Sequence, residues 1–441
     1  METPAAIQIL TSGISPRLEY IAGFLSSTLQ IPFTVTPLPD AGNMRDVSSA
    51  CEIHYGGQPV SGAFNIFAAG LLHENGIRKF EPGVVKQGDQ TLLFPAPAGF
   101  DMPFDIFSAI FYLLSRYEEY LPFTPDEHGR FEASQSHAFH HNYLEEPLVD
   151  QWLEILKTAL TGKFPERDIP SREFRFISTV DIDRPWAYLQ RGLVRSAGGL
   201  LKDALRADAS AFRFRLQVLL GKSPDPYDTF EYIRQTEDRF GFRSLYFFLS
   251  GNYGGNDDNY AVESLHFRDL IKHTASGTTV GIHPSCKSFR NIRIYKKEFE
   301  RFSQLLGKKP EISRQHFLLL HLPDTYRHLI NMGIREDYSM GYASRPGFRA
   351  GTCSPFRFYD LPGEHTTTLV VFPFAFMDVT LRQYLSHTPD EALNHIIRII
   401  DRIKTVHGTC ISLWHNESLS DRGIWKGWRI VFEGMLEKLY Y

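Results

Sequence analysis

Apolar positions in the first 165 residues fall in short runs separated by polar turns: IQILTS (7–12), FTVTPLP (33–39), CEIHYG (51–56) and FNIFAAGLL (64–72). Runs of this length, bounded by Gly, Pro and Ser, predict buried strands. The segment DIFSAIFYLLSRYEEYL (105–121) changes period: Ile106, Phe107, Ile110, Phe111, Leu114 and Tyr117 recur at three- and four-residue steps, which predicts a helix with one buried face. Together these elements predict a small α/β domain over residues 1–165.

Charge, Pro and Gly cluster in TGKFPERDIPSRE (161–173), which marks a boundary. Beyond it, over 170–441, strand-like runs alternate with helical ones: RFISTVDID, SLYFFLSG, TVGIHPS, EISRQHF, TTLVVFPFAF and TCISLWHN. Between the last two, Thr388, Pro389 and Glu391 spell an N-cap, an N1 proline and a capping-box partner, and Gly408 closes the helical stretch. Such alternation predicts a parallel sheet or barrel with helices outside. One insertion, residues 191–222, carries seven Arg or Lys against two Asp with helical apolar spacing. It reads either as a helical hairpin with a solvated basic face or as a peripheral contact for a membrane or a synthase complex.

Composition narrows the function classes. With 43% hydrophobic and 22% charged residues the chain is globular rather than disordered. A net charge of -4 gives no support to a nucleic-acid partner. Cys51, Cys286, Cys353 and Cys410 lack C-x-x-C spacing, so neither a zinc knuckle nor a disulfide framework is expected. The N-terminal residues lack the basic and long apolar regions of a secretory signal, and no apolar run approaches the roughly 18 to 20 residues of a membrane span, so a cytoplasmic location is expected. His128, His137, His140 and His141 read as a solvated polar loop, because no carboxylate or cysteine stands at a matching ligand interval.

In parallel α/β folds, sites gather at the carboxyl ends of strands. The residues there are Asp181 and Asp183 in TVDID, His283 in VGIHPS, Arg314 and His316 in SRQHF, and His415 with Asn416 in SLWHN. Carboxylates and imidazoles brought together this way suit a hydrolytic divalent-metal site with separate groups to take and give a proton. Taken singly, each also reads as a strand-end cap, an ion-pair partner or a hydrogen-bonded structural histidine.

The order of these pieces resembles the polysaccharide deacetylase family with the NodB-homology fold, carbohydrate esterase family 4. An aspartate-bearing first strand is followed by a histidine motif, an arginine motif and a late Leu-x-His, and residues 170–441 carry the resemblance. The first half, with PFDIFSAIFYLLSRYEEYLPF, is similar to an N-terminal domain fused to a divergent bacterial branch of that family. The resemblance implies a deformed (β/α) barrel and an N-deacetylase acting on an N-acetylated sugar of a glycan or its precursor, as in cell-surface polysaccharide synthesis. It implies Asp181 as base, Asp183 and His283 as ligands of a divalent ion such as zinc, Arg314 as the residue orienting Asp181, and His415 as proton donor to the leaving amine. Lys287 stands where the family motif has its second histidine, and His316 is the candidate replacement. Trp414, Asn416 and Arg349, the last in the Gly- and Pro-rich GFRAGTCSPF, are the substrate-binding candidates, with Tyr342 and Phe348 as further aromatic faces. An amidase on another amide, and a non-catalytic glycan-binding or scaffold protein, are the competing readings.

Overall fold

The computed structural model describes residues 6–38, 52–258, 262 and 264–441. Cys51, at the head of one predicted strand, lies outside them. Four parallel strands open the chain: β1 (Ile7–Thr11), β2 (Phe33–Pro37), β3 (Glu52–Gly56) and β4 (Phe64–Phe67), in the order β2-β1-β3-β4. A hairpin of β5 (Val84–Gln87) and β6 (Gln90–Leu93) follows.

The helical segment at 105–121 is shorter than its period predicts. The helix runs Ile106–Leu114, N-capped by Asp105, and stops where Arg116 takes a left-handed conformation (φ 53°). All nine residues are buried, not one face alone, because Phe107 packs on Tyr55 of the small sheet while Phe111 packs on Tyr359 of the C-terminal half.

The second sheet has nine strands: β7 (Arg175–Ile182), β8 (Leu245–Leu249), β9 (Val280–His283), β10 (Ile312–Ser313), β11 (Glu336–Asp337), β12 (Phe356–Asp360), β13 (His365–Val371), β14 (Phe376–Met377) and β15 (Thr409–His415). Their order is β12-β13-β11-β10-β9-β8-β7-β15-β14, parallel except for the edge strand β12. The expected barrel is not closed: no pairing among the described residues joins β12 to β14. The sheet is nevertheless rolled. A small core of its own gathers Phe247, Ile312 and Tyr338 with Phe374, Met377, Ile411 and Leu413, which come from strands well apart in the order.

Period-two alternation explains this division. On β7, Val180 and Ile182 enter the main core under the helices, while Ile177 packs against the inner cluster and Thr179 and Asp181 follow on the same side. On β15, Cys410 and Trp414 join the main core, and Ile411 and Leu413 the inner one. The helix Pro389–Thr405 covers β15, and its predicted capping box forms in both directions between Thr388 and Glu391. The helix ends at Thr405, and His407 (φ 50°) turns the chain before Gly408.

Candidate active site

The inner side of the rolled sheet opens at the carboxyl ends of its strands into a cavity of about 490 Å³. Asp181, Asp183, His283, His316 and His415 all line it, and Arg314 lies behind Asp181. Registration explains the convergence: His415 on β15 is the direct lateral neighbour of Asp181 on β7, so both face inward. Asp183, two residues beyond Asp181, keeps to the same face, which is the physical reason for the D-x-D spacing.

Asp183 is the hub. Its Oδ1 lies 3.2 Å from His283 Nε2, and its Oδ2 lies 3.4 Å from His316 Nε2 and 3.8 Å from His415 Nε2. One ligand atom from each of Asp183, His283 and His316 falls within 4.8 Å of the others, a spacing that a divalent ion can bridge. Outer partners aim both rings. His283 Nδ1 donates to the Arg314 carbonyl at 2.6 Å, and His316 Nδ1 pairs with buried Asp257 at 2.9 Å, so each Nε2 is presented to the cavity. Asp183 Oδ1 is buried and has no hydrogen-bond partner, as expected of an atom shaped for a cation. The residues therefore fit a divalent metal, with Asp257 supporting one ligand.

Electrostatics agree with this reading. Burial alone would raise Asp183, yet the His316 and His283 imidazoles hold its carboxyl well below the ordinary value. Burial alone would lower His316, but Asp183 and Asp257 hold it well above the ordinary histidine value. Without an ion, the site is thus a charged carboxylate against a protonated ring.

His415 is set differently. Asp378 receives both its Nδ1–H (2.8 Å) and its backbone N–H (2.7 Å). Burial disfavours the imidazolium, but Asp378 above all, with Asp183 and Asp181, pushes its pKa up to about 10. The ring is a stored proton facing the cavity. Asp181 lies 3.8 Å from His283 Nε2 through Oδ2, and its buried Oδ1, without a hydrogen bond, lies 3.6 Å from Arg314 Nη1. Arg314 is wholly buried, donates to Thr179 Oγ1 at 2.8 Å, and lies over the rings of Phe247 and Phe374.

The N-terminal half contributes a wall, which the sequence reading missed. Arg130 Nε pairs with Asp126 at 2.7 Å, Nη1 donates to the Phe317 carbonyl at 3.0 Å, and Nη2 donates to Tyr384 at 3.3 Å. Phe317 and Leu318, directly after His316, both take left-handed φ values (56° and 54°), strained for residues of this size. The Arg130 contact braces this turn. Asp378 directly follows β14, as Asp183 directly follows β7, and was open to the same strand-end reasoning; nothing in the GGNDDN stretch singles out Asp257.

The three expected substrate contacts lie outside the cavity. Trp414 points to the opposite face of β15 and packs on Trp428 and Phe432. Asn416 is buried, its Nδ2 donating to the Arg184 and Tyr227 carbonyls. Arg349 forms a buried two-bond pair with Glu119 (2.7 and 2.8 Å), which Arg116 also contacts. Tyr342 and Phe348 are likewise buried. The segment holding Arg349 is a seam between the two halves rather than an active-site loop: buried Asp150 gathers Thr352, the Cys353 amide, Ser354 and Arg172. Phe317 and Tyr384 supply the aromatic faces of the cavity instead.

A second group, exposed Glu81, buried His137 and half-buried His141, also brings three ligand atoms within 4.8 Å of one another, so the histidine stretch is not the wholly solvated loop expected. The carboxylate comes from outside the histidine stretch, so local spacing could not reveal it.

A family model described as a family of unknown function (DUF7033) matches residues 7–165, less than half of the chain. No curated protein matches the sequence. Among solved structures, a Mycobacterium smegmatis protein described as a polysaccharide deacetylase is similar at 13% identity and a TM-score of 0.39, covering 61% of this chain and 86% of its own. A Puue allantoinase is similar at 10% identity and a TM-score of 0.36, covering 59% and 84%. Likenesses this distant carry no weight for the chemistry, which rests on the residues above.

Proposed function

We propose that the chain is a metal-dependent amide hydrolase, an N-deacetylase acting on an N-acetylated sugar of a glycan or glycan precursor, with its site on a NodB-type rolled sheet in residues 170–441. The observation that carries this reading is the three-ligand cluster of Asp183, His283 and His316 flanked by a buried carboxylate, Asp181, and a protonated imidazole, His415. A divalent ion held by these three, with zinc suited to such ligands, would supply Lewis-acid polarisation of the amide carbonyl and make the attacking water more acidic.

The protein's own groups divide the proton work. Asp181 takes a proton from the attacking water, its carboxylate oriented by Arg314. His415 gives its Nε2 proton to the departing amine, and Asp378 stabilises the ring while it is charged. Acetate and a free amino sugar leave. Phe317 and Tyr384 offer apolar faces to a sugar ring.

The test is metal content of protein purified without chelator, together with acetate release from an N-acetylglucosamine oligosaccharide. One equivalent of metal, lost in Asp183→Ala and His316→Ala, with acetate release that Asp181→Asn abolishes, is the expected result. No metal uptake even after zinc loading sinks the reading.

A further inference from the structure

The insertion at 191–222 folds as a helical hairpin, Gly192–Leu205 and Ala209–Leu219. Its inner side is fastened. Arg215 pairs with Asp203 at 2.6 Å and lies over Tyr188, Val218 is buried, and Arg422 lies over Phe214. At its root Asp225 accepts the backbone N–H groups of Ala187, Tyr188 and Leu189.

The outer side is the reverse of what folding alone would select. Leu193 is 91% exposed, Val194 87%, Leu205 79% and Leu201 60%, with Leu220 also exposed. Positions 194, 197, 198, 201 and 205 share one face of the first helix, so Val194, Leu201 and Leu205 form a stripe along it. Asp203 is the only buried residue of that helix, so the stripe does nothing for the core. Exposed Lys202, Arg206, Arg213 and Lys222 stand on the same hairpin. A protein partner with an apolar groove would answer the leucines alone. An anionic bilayer surface answers both, taking apolar side chains into the acyl boundary while cations stay among the headgroup phosphates.

The hairpin adjoins the mouth of the cavity. Asp258, which lines the cavity, pairs with Arg184 at 3.4 Å and with Arg191, at the head of the hairpin, at 3.6 Å. Arg195 lies over Tyr253 on the same side. Among the described residues no helix is long and apolar enough to cross a membrane, so the contact is one that lies on the surface.

We propose that the 191–222 hairpin is a membrane-docking element that lays its Val194, Leu201 and Leu205 face into an anionic bilayer surface and brings the cavity mouth to it. This goes beyond the hydrolase reading and does not depend on it.

The test is co-sedimentation of the full chain with vesicles, in the absence of substrate. The native protein is expected to pellet with phosphatidylcholine vesicles containing phosphatidylglycerol, not with phosphatidylcholine alone, and to be released by salt. Leu201→Ser/Leu205→Ser, changes at exposed positions, should lower the bound fraction by about tenfold. Lys202→Glu/Arg206→Glu should do the same at low salt, with circular dichroism of both variants unchanged. Native protein that stays in the supernatant with anionic vesicles at low salt overturns the proposal, as does equal pelleting of both variants. Light scattering that shows a native dimer dissolved by the leucine changes also overturns it, in favour of a second copy covering the stripe.

Discussion

His415 owes its charge to Asp378 more than to its place on the strand. Burial pushes an imidazole toward the neutral form, and the two hydrogen bonds to Asp378 reverse that preference. With a folded pKa of about 10, the ring holds its proton below that pH and loses it above, so the rate should fall on the alkaline side. Asp378→Asn removes the opposing charge, so the alkaline limb of kcat/KM should move to lower pH; an unmoved limb would detach Asp378 from the proton donor. Replacing His415 by Gln should cost about 100- to 10,000-fold in kcat with metal content unchanged. At the proposed metal ligands the competition runs between metal and proton. His316 is held protonated in the absence of an ion, so zinc binding should release a proton and strengthen as pH rises, a slope that calorimetry in buffers of different ionisation enthalpy can read.

Each strand delivers its chemistry by alternation. On β9, His283 faces the cavity, and Gly281 two residues earlier faces the same way into a crowded interior. A Cβ at Gly281 would lie 2.6 Å from the Phe247 ring and 2.7 Å from Ile312. Gly281→Ala should therefore cost about 1–3 kcal/mol, seen as a lower midpoint in urea. The same alternation separates Trp414 from His415. Trp414→Ala should lower stability by about 3–5 kcal/mol through the emptied volume against Trp428 and Phe432. A change in KM of that variant without loss of stability would return Trp414 to the substrate.

The two halves of the molecule meet in ways that matter for both stability and the site. Glu119 lies between Arg349 and Arg116; burial would raise its carboxyl, but the two guanidiniums lower it to about 2. A depressed folded pKa stabilises the protein above the ordinary carboxylate value of 4.5, and that stability is lost as pH falls toward 2. Glu119→Gln should flatten the acid limb of a melting-temperature profile and lower stability at neutral pH by about 3–5 kcal/mol, since buried Arg349 loses its carboxylate partner while Arg116 keeps Glu118 at 2.8 Å. Arg130 acts across the same junction on the strained turn after His316. Its replacement by Ala should lower kcat/KM about 10- to 100-fold while metal content holds, because the wall shifts and the ligands stay.

By itself the sequence determined what is local and periodic. Strand positions, the Thr388–Glu391 capping box and the strand-end placement of Asp181, Asp183, His283, His316 and His415 follow from spacing within one element, and the parallel sense of the sheet from the alternation of strands with helices. Even the side of Trp414 was open to the period-two rule, once His415 was taken as inward. What only the tertiary structure decided depends on residues distant in the chain. Asp257 behind His316, Asp378 behind His415, Glu119 against Arg349, Glu81 beside His137 and Arg130 beneath Phe317 are pairs that no spacing encodes. Among the described residues the two edges of the rolled sheet exchange no hydrogen bonds, and nothing there covers the leucines of the hairpin. Local pattern reports which way a side chain leaves its own backbone; only the packed fold reports what it meets there.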